Sequence, residues 1–226
     1  MGEVKLITTS DGSHSLFNAE LGETYHSVHG AIQESMHVFV KNGLEYFQEK
    51  TKQAEINVLE IGFGTGLNAL LTIQKSLSYP TLIHYESLEA FPIEEEISSK
   101  LNYPKILNFT ASEKYFLQLH QSGWGEQIDI TNTFSLLKRH TKLQDVDLEA
   151  EKYDVIFFDA FAPSKQPELW ELAVLRKVEQ SMKSGAVFVT YCARGQLKRD
   201  LKSLGLLVET LPGPPGKKEM VRAVKS

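Results

Sequence analysis

The stretch VLEIGFGTGLNALL, residues 58–71, sets a carboxylate, Glu60, and three glycines, Gly62, Gly64 and Gly66, between an apolar segment and one with helical spacing. An apolar run ending in alternating glycines reads as a buried strand that turns sharply into a helix. Glycines at such a turn let the backbone approach a ligand closely, with the helix N-terminus behind it. The same residues also suit a purely structural tight turn, so the rest of the chain has to discriminate.

From about residue 56 strand-like and helix-like segments alternate. INVLEI, TLIHYESLEAF and YDVIFFDAF read as buried strands, and GAVFVTYC, LVETLPG and EMVRAVKS as the last three. Between them LNALLTIQKSL, PIEEEISSKL with Pro92 near its start, SEKYFLQLHQS, a segment from Pro167 to about Met182, and GQLKRDLKSLG read as helices. QIDITNTFSLLKRH alternates like strands, with a turn signal at Asn132. This alternation predicts an α/β fold with a mainly parallel sheet covered on both faces. The last two strands are joined only by PGPPGKK, too short for a parallel crossover, so they are expected to pair antiparallel. That is the layout of a class I, Rossmann-like methyltransferase sheet. Residues 1–55 have a different texture, with a Ser-Asp-Gly hairpin signal followed by the helical spacing of HGAIQESMHVFVKNGLEYF. They are expected to form a small β/α extension packed on the sheet, and 56–226 the Rossmann-like domain.

At 226 residues and 42% hydrophobic the chain can bury one sizeable core. No apolar run approaches the ~18 residues of a membrane span. The opening MGEVKLITTSDGSHS has no signal-peptide pattern, which leaves the cytoplasm as the expected location. Cys192 is the single cysteine, so no internal disulfide and no multi-cysteine metal site can form, and a buried inert thiol is expected. His26, His29 and His37 have no carboxylate spacing around them that suggests a metal. The net charge of −5 is uneven: residues 183–226 hold nine Lys/Arg against three Asp/Glu, and the rest is acidic. Such a region either attracts a polyanion or consists of solvated helix faces.

The glycine pattern is G-x-G-x-G, with Leu67 where a dinucleotide fingerprint G-x-G-x-x-G has its third glycine. Glu60 would repel a pyrophosphate but attract the amino and sulfonium groups of S-adenosylmethionine, which favours that ligand over NAD. An acid for the ribose hydroxyls belongs at the end of the second strand, where Glu86 and Glu89 both qualify. Glu89 is better placed if the strand ends near Leu88, and the other acid is expected to be solvated. Asp159 follows an apolar run and should emerge at the carboxyl end of a central strand, the edge at which open α/β sheets bind ligands. Its plain structural role would be to cap the following loop, which Pro163 and Pro167 stiffen.

The stretches YHSVHGAIQESMHVFV, GFGTGLN, EAFP, DAFAPSKQPELW, GAVFVTYCARG and GPPGKKEM span nearly the whole chain. Together they resemble the tRNA 5-methylaminomethyl-2-thiouridine methyltransferase family, in many bacteria one half of a bifunctional enzyme whose other half is an FAD-dependent oxidase. With no length for an oxidase, the resemblance is to the stand-alone form, without FAD. It implies methyl transfer from S-adenosylmethionine to the exocyclic amine of 5-aminomethyl-(2-thio)uridine at the tRNA wobble position. It further implies that Gly62, Phe63, Gly64, Gly66, Leu67 and Asn68 line the cofactor, that Glu89 takes the ribose, and that Asp159 lies between cofactor and substrate. The family pattern departs at KRHTKLQD, which lacks the Gly-Asp often found after the third strand of such enzymes, so adenine contacts near Thr141 and Lys142 stay unassigned.

An aminomethyl group is mostly protonated at neutral pH, and only its lone pair can attack a methyl group. Asp159 is therefore the candidate to orient the amine and take its proton. The unstacked base needs aromatic partners, for which Tyr25, Phe161 and Tyr191 are candidates unless they are ordinary core, with Pro163 beside them. Lys198, Arg199 and Lys202 on one helix, and Lys217 and Lys218 in a loop near the strand ends, are candidates for phosphate contacts. Rival readings are a small-molecule N-methyltransferase, an aminopropyltransferase of the spermidine synthase type, or a catalytically silent tRNA-binding protein. The aminopropyltransferase would need a more acidic glycine turn and a second Asp.

Overall fold

The computed structural model describes residues 4–78 and 81–226. Its N-terminal part is a hairpin of β1 (Val4–Thr8) and β2 (His14–Asn18), extended by the short β3 (Glu23–Thr24). The tip is Ser10-Asp11-Gly12, where Asp11 accepts from Thr9 Oγ1 and Ser13 N. A long helix, α1, spans 31–51 and is π-wound at its centre, Met36–Glu45. It buries Val38, Phe39, Val40 and Leu44. Gly43 lets it lie flat on the sheet: a Cβ there would stand 2.8 Å from the Val189 side chain.

The main sheet has eight strands. In chain order these are β4 (Glu55–Ile61), β5 (Leu82–Glu89), β6 (Gln127–Thr131), β7 (Phe134–His140), β8 (Tyr153–Phe158), β9 (Met182–Thr190), β10 (Leu206–Pro212) and β11 (Glu219–Lys225). Their spatial order is β10-β11-β9-β8-β4-β5-β7-β6. The five central strands β9, β8, β4, β5 and β7 run parallel. As expected, β10 and β11 pair antiparallel, and β11 slots between β10 and β9. A second antiparallel strand, β6, closes the other edge through the turn after Thr131.

β8 is buried along its whole length, as a central parallel strand must be. Its side chains alternate between two cores. Val155 and Phe157 join Val58 and α1 on one face, whereas Ile156 and Phe158 join Leu59 and Ile61 on the other. The helices used below are α2 (Leu67–Ser76), α3 (Ser112–Gln121), α4 (Leu172–Ser181) and α5 (Gly195–Ser203).

Two helix expectations need correction. After β5 the chain bends at Ala90–Phe91, where Phe91 N donates to Glu89 Oε1 at 2.8 Å, and stays non-helical to Glu94. Pro92 therefore lies in a loop, and only one turn, Glu95–Ser98, follows before the helix restarts at Tyr103. The helix expected from Pro167 is a 3₁₀ turn, Pro167–Trp170, broken at Glu171 before α4. Trp170 enforces the break: its Nε1 donates to Phe161 O at 2.8 Å, and its ring packs on Phe158. Among the described residues no helix is long and apolar enough to cross a membrane.

Candidate active site

Three strand ends are tied together where β4 stops. Gly62 N donates to Leu88 O at 2.9 Å, and Asp159 N donates to Ile61 O at 3.0 Å. Gly62 has φ +96°, and a Cβ on it would stand 2.7 Å from Asp159 O, so this position takes only glycine. Gly64 N donates to Glu89 Oε2 at 2.9 Å, which fixes the acid at the end of β5 against the turn.

Above these ends lies a cavity of about 1120 Å³. Its floor is the turn 62–65 with Leu67 and Asn68, and its sides are residues 88–91, 141–145 and 159–162. Residues 17–29 form the roof, with Glu34, Tyr191 and Lys217 at one end. Lys165 Nζ bonds Leu21 O at 2.7 Å, and Tyr25 meets Phe161 edge to face at 5.0 Å, so roof and wall touch directly.

The chemistry is carried by carboxyl groups around the glycine turn. Glu60 is fully buried and accepts from Asn68 Nδ2 at 3.0 Å and Ser87 Oγ at 2.6 Å. The same Asn68 Nδ2 donates to Asp159 Oδ2 at 2.8 Å, linking the two acids. Burial raises the Glu60 carboxyl to about 8, and burial with the charge of Glu34 raises Asp159 to about 7. Glu89 is raised by burial against the pull of three backbone amides. Acids converging on a turn with glycine at 62, 64 and 66 suit a cationic ligand with a hydroxylated ribose better than a pyrophosphate. The residues present therefore fit S-adenosylmethionine.

The burial of Glu60 makes stability depend on pH. A folded-state pKa raised from 4.5 to about 8 means that its stabilising contribution is complete below about 4.5 and lost as pH rises through about 8. Glu60→Gln keeps the shape without titrating. Between pH 5 and pH 8 the wild type is expected to lose a few kcal/mol relative to that variant, at roughly 1.4 kcal/mol for each step of one in pH, as read by urea denaturation at each pH.

A family model described as S-adenosyl-L-methionine-dependent methyltransferase matches residues 113–226. The chain belongs to this methyltransferase family. It is 33% identical over 215 residues to the tRNA 5-methylaminomethyl-2-thiouridine biosynthesis bifunctional protein MnmC of Leptospira interrogans, covering 89% of this chain and 32% of that protein. The protein of the same name from Nitrosospira multiformis is 26% identical over 220 residues, covering 92% and 35%. The methyltransferase thus spans about a third of the length of these relatives. Among solved structures, MnmC2 from Aquifex aeolicus superposes with a TM-score of 0.82 at 24% identity, over 99% of this chain and 71% of that one. That likeness shows the class I methyltransferase fold.

Within the methyltransferase the cavity is bordered by Gly62, Phe63, Gly64, Leu67, Asn68, Glu89 and Asp159, and by Tyr25, Phe161, Tyr191 and Lys217. Thr141 and Lys142 border it as well. Phe63 contributes mainly backbone, because its ring is buried against His120, Trp124 and the Lys138 ammonium. Four of the sequence candidates lie outside the lining. Glu60 is sealed behind Asn68, and Gly66 caps α2 against His120 and the Phe63 ring. Pro163 is set back in the loop, and Lys218 is exposed. Glu86 is not the solvated acid expected of it: it is buried, pairs with Arg139 at 2.7 Å and Lys152 at 2.9 Å, and accepts from Tyr153 OH.

Of the histidines, His26 is buried beside Ser15 and Thr65, and His37 bonds Pro212 O. Among the described residues no group of three or more His, Cys, Asp or Glu could hold a metal. Cys192 is buried, and burial raises its thiol. The residue that the sequence reading missed is Glu34, a buried acid at the end of the cavity. Its signal was an acid on the apolar face of α1, four positions before Val38.

Proposed function

We propose that the protein transfers the methyl group of S-adenosylmethionine to the exocyclic amine of 5-aminomethyl-(2-thio)uridine at the wobble position of tRNA, acting in the cytoplasm. The observation that carries this reading is one half-buried carboxyl group, Asp159, which borders the cavity together with the glycine turn, Asn68 and the Tyr25–Phe161 aromatic pair. The names of the MnmC relatives support the choice of acceptor.

Glu89 and the backbone of 62–64 hold the nucleoside end of the donor, with Leu67 and Asn68 beneath it. Tyr25 and Phe161 receive the uracil ring. Asp159, oriented by Asn68, accepts a proton from the acceptor ammonium and aligns the freed nitrogen. The nitrogen lone pair forms the new N–C bond as the S–C bond breaks, its electrons pass to sulfur, and the proton left on nitrogen goes to solvent. Exclusion of water by the roof and alignment of nitrogen with methyl carbon supply the rate, up to roughly 7–11 kcal/mol in favourable cases.

The test is nucleoside mass spectrometry of undermodified tRNA incubated with the protein and S-adenosylmethionine. A gain of one methyl on 5-aminomethyluridine is expected. An aminopropyl gain, or no gain with donor binding absent in equilibrium dialysis, removes the reading.

The tRNA contacts are narrower than the charge count suggests. Lys198 is paired with Glu219 and Lys217 with Glu34, whereas Arg199, Lys202 and Lys218 form no ion pair among the described residues. Three phosphate contacts predict that raising salt from 50 to 200 mM weakens tRNA binding roughly 20–40-fold, measured by filter binding. A flat response removes this surface from the interface.

A further inference from the structure

The loop between β10 and β11 delivers one lysine into the cavity wall. Lys217 N bonds Pro214 O at 2.9 Å and Gly213 N bonds Lys218 O at 3.1 Å, a tight turn. Gly216, at φ +83°, lies so close to the His29 ring that a Cβ there would run into it. The turn thereby aims Lys217 inward. Its Nζ sits 2.5 Å from Glu34 Oε1 and 3.7 Å above the centre of the Tyr191 ring. Glu34 is itself fixed, since its other oxygen accepts from Ser27 N at 2.6 Å. Tyr191 OH donates to Ala160 O at 2.8 Å, one residue from Asp159. The ammonium is thus clamped on the cavity that Asp159 also borders, within electrostatic reach of that carboxyl.

We propose that Lys217, anchored by Glu34 on the face of Tyr191, is a positioning residue whose fixed positive charge keeps the acceptor amine in its neutral, nucleophilic form. The inference rests on the acceptor being an amine, as proposed above. As a purely structural pair Lys217–Glu34 would add little, because solvent screens the partly exposed ammonium and desolvation of buried Glu34 offsets the attraction. Beside a reacting amine the same charge has a use: a neighbouring cation disfavours protonation and exposes the lone pair.

Besides His29, whose ring packs on the neighbouring Gly216, the other groups facing this ammonium supply no second positive charge. They are Asp159 and Glu34, both acids, with Glu23 nearby, Tyr191 and Cys192, both raised and neutral, and His26, which burial lowers to about 4 and keeps neutral. Lys165 is occupied by Leu21 O across the roof. A positive charge at about 6 Å in an effective dielectric of about 20 lowers the pKa of an amine by roughly two; the Glu34 counter-charge just behind it leaves a net lowering of about half of one, whereas removing the lysine alone removes its whole contribution.

The test uses sinefungin, an analogue of S-adenosylmethionine with C–NH2 in place of S–CH3, which puts an amine at the reaction centre without any tRNA. Calorimetric affinities for sinefungin and S-adenosylhomocysteine are compared in wild type, Lys217→Met and Lys217→Arg. At pH 6.5, where the free amine is protonated, Lys217→Met is expected to bind sinefungin about tenfold more tightly than wild type, relative to S-adenosylhomocysteine. The gain disappears near pH 10, and Lys217→Arg behaves as wild type. An equal or weaker relative affinity in Lys217→Met at pH 6.5 overturns the role of Lys217. Failure of the wild type to methylate aminomethyluridine in tRNA overturns the acceptor reading instead, so the two failures are distinct.

Discussion

Replacing Asp159 by Asn is expected to lower turnover about 10²–10⁴-fold while S-adenosylmethionine affinity changes only a few-fold. The asymmetry follows from the geometry. Asp159 receives its hydrogen bond from Asn68 Nδ2, not from the turn proposed to hold the nucleoside, and its backbone N–H is spent on Ile61 O. An asparagine fits the same space with backbone contacts intact, but its amide cannot take the acceptor's proton. With the carboxyl raised to about 7, the wild-type kcat/KM should rise with pH through a limb near that value, and Asp159→Asn should remove the limb. Titration calorimetry with S-adenosylmethionine and a single-turnover methylation assay separate the two effects. Turnover equal to the wild type's would exclude Asp159 from the chemistry.

Gly62→Ala should do the reverse, abolishing donor binding and destabilising the fold by about 2–4 kcal/mol, since a strained backbone and a buried clash both contribute. The new Cβ would stand 2.7 Å from Asp159 O, a backbone atom pinned by the bond from Asp159 N to Ile61 O. Neither partner can move without parting β4 from β8. Gly64→Ala is the internal comparison. Its Cβ would meet the Tyr25 ring at 3.3 Å, and a side chain can give way where a carbonyl cannot. Thermal denaturation should place Gly62→Ala well below Gly64→Ala. Equal melting temperatures would show that the tie between the strand ends is softer than it looks.

The parallel sheet, its antiparallel last strand and the placing of Asp159 at a strand end were legible because each rests on local pattern: a fully apolar β8, a loop too short to cross over, and glycines where β4 stops. What could not be read is set by contacts far apart in sequence. Glu60 and Asp159 are 99 positions apart and meet only through Asn68, so nothing near Glu60 showed that it would be sealed beneath the cavity instead of lining it. Glu86 looked like a surface acid until Arg139 and Lys152 arrived from other parts of the chain. Pro92 and Pro167 carried a correct local preference for helix starts, but Glu89 keeps the chain out of a helix after Pro92, and Trp170 limits the turn that begins at Pro167 to a single 3₁₀ turn. Glu34 escaped notice because its partner, Lys217, lies 183 positions away.

That last separation bears on how the protein is made. The clamp that finishes the cavity joins the first helix to a turn read out almost two hundred codons later. A chain still on the ribosome can assemble the glycine turn and β5, yet it lacks one wall. Methyl transfer competence would therefore appear late and abruptly during synthesis, when the final hairpin docks, instead of growing by degrees with the length of the emerging polypeptide.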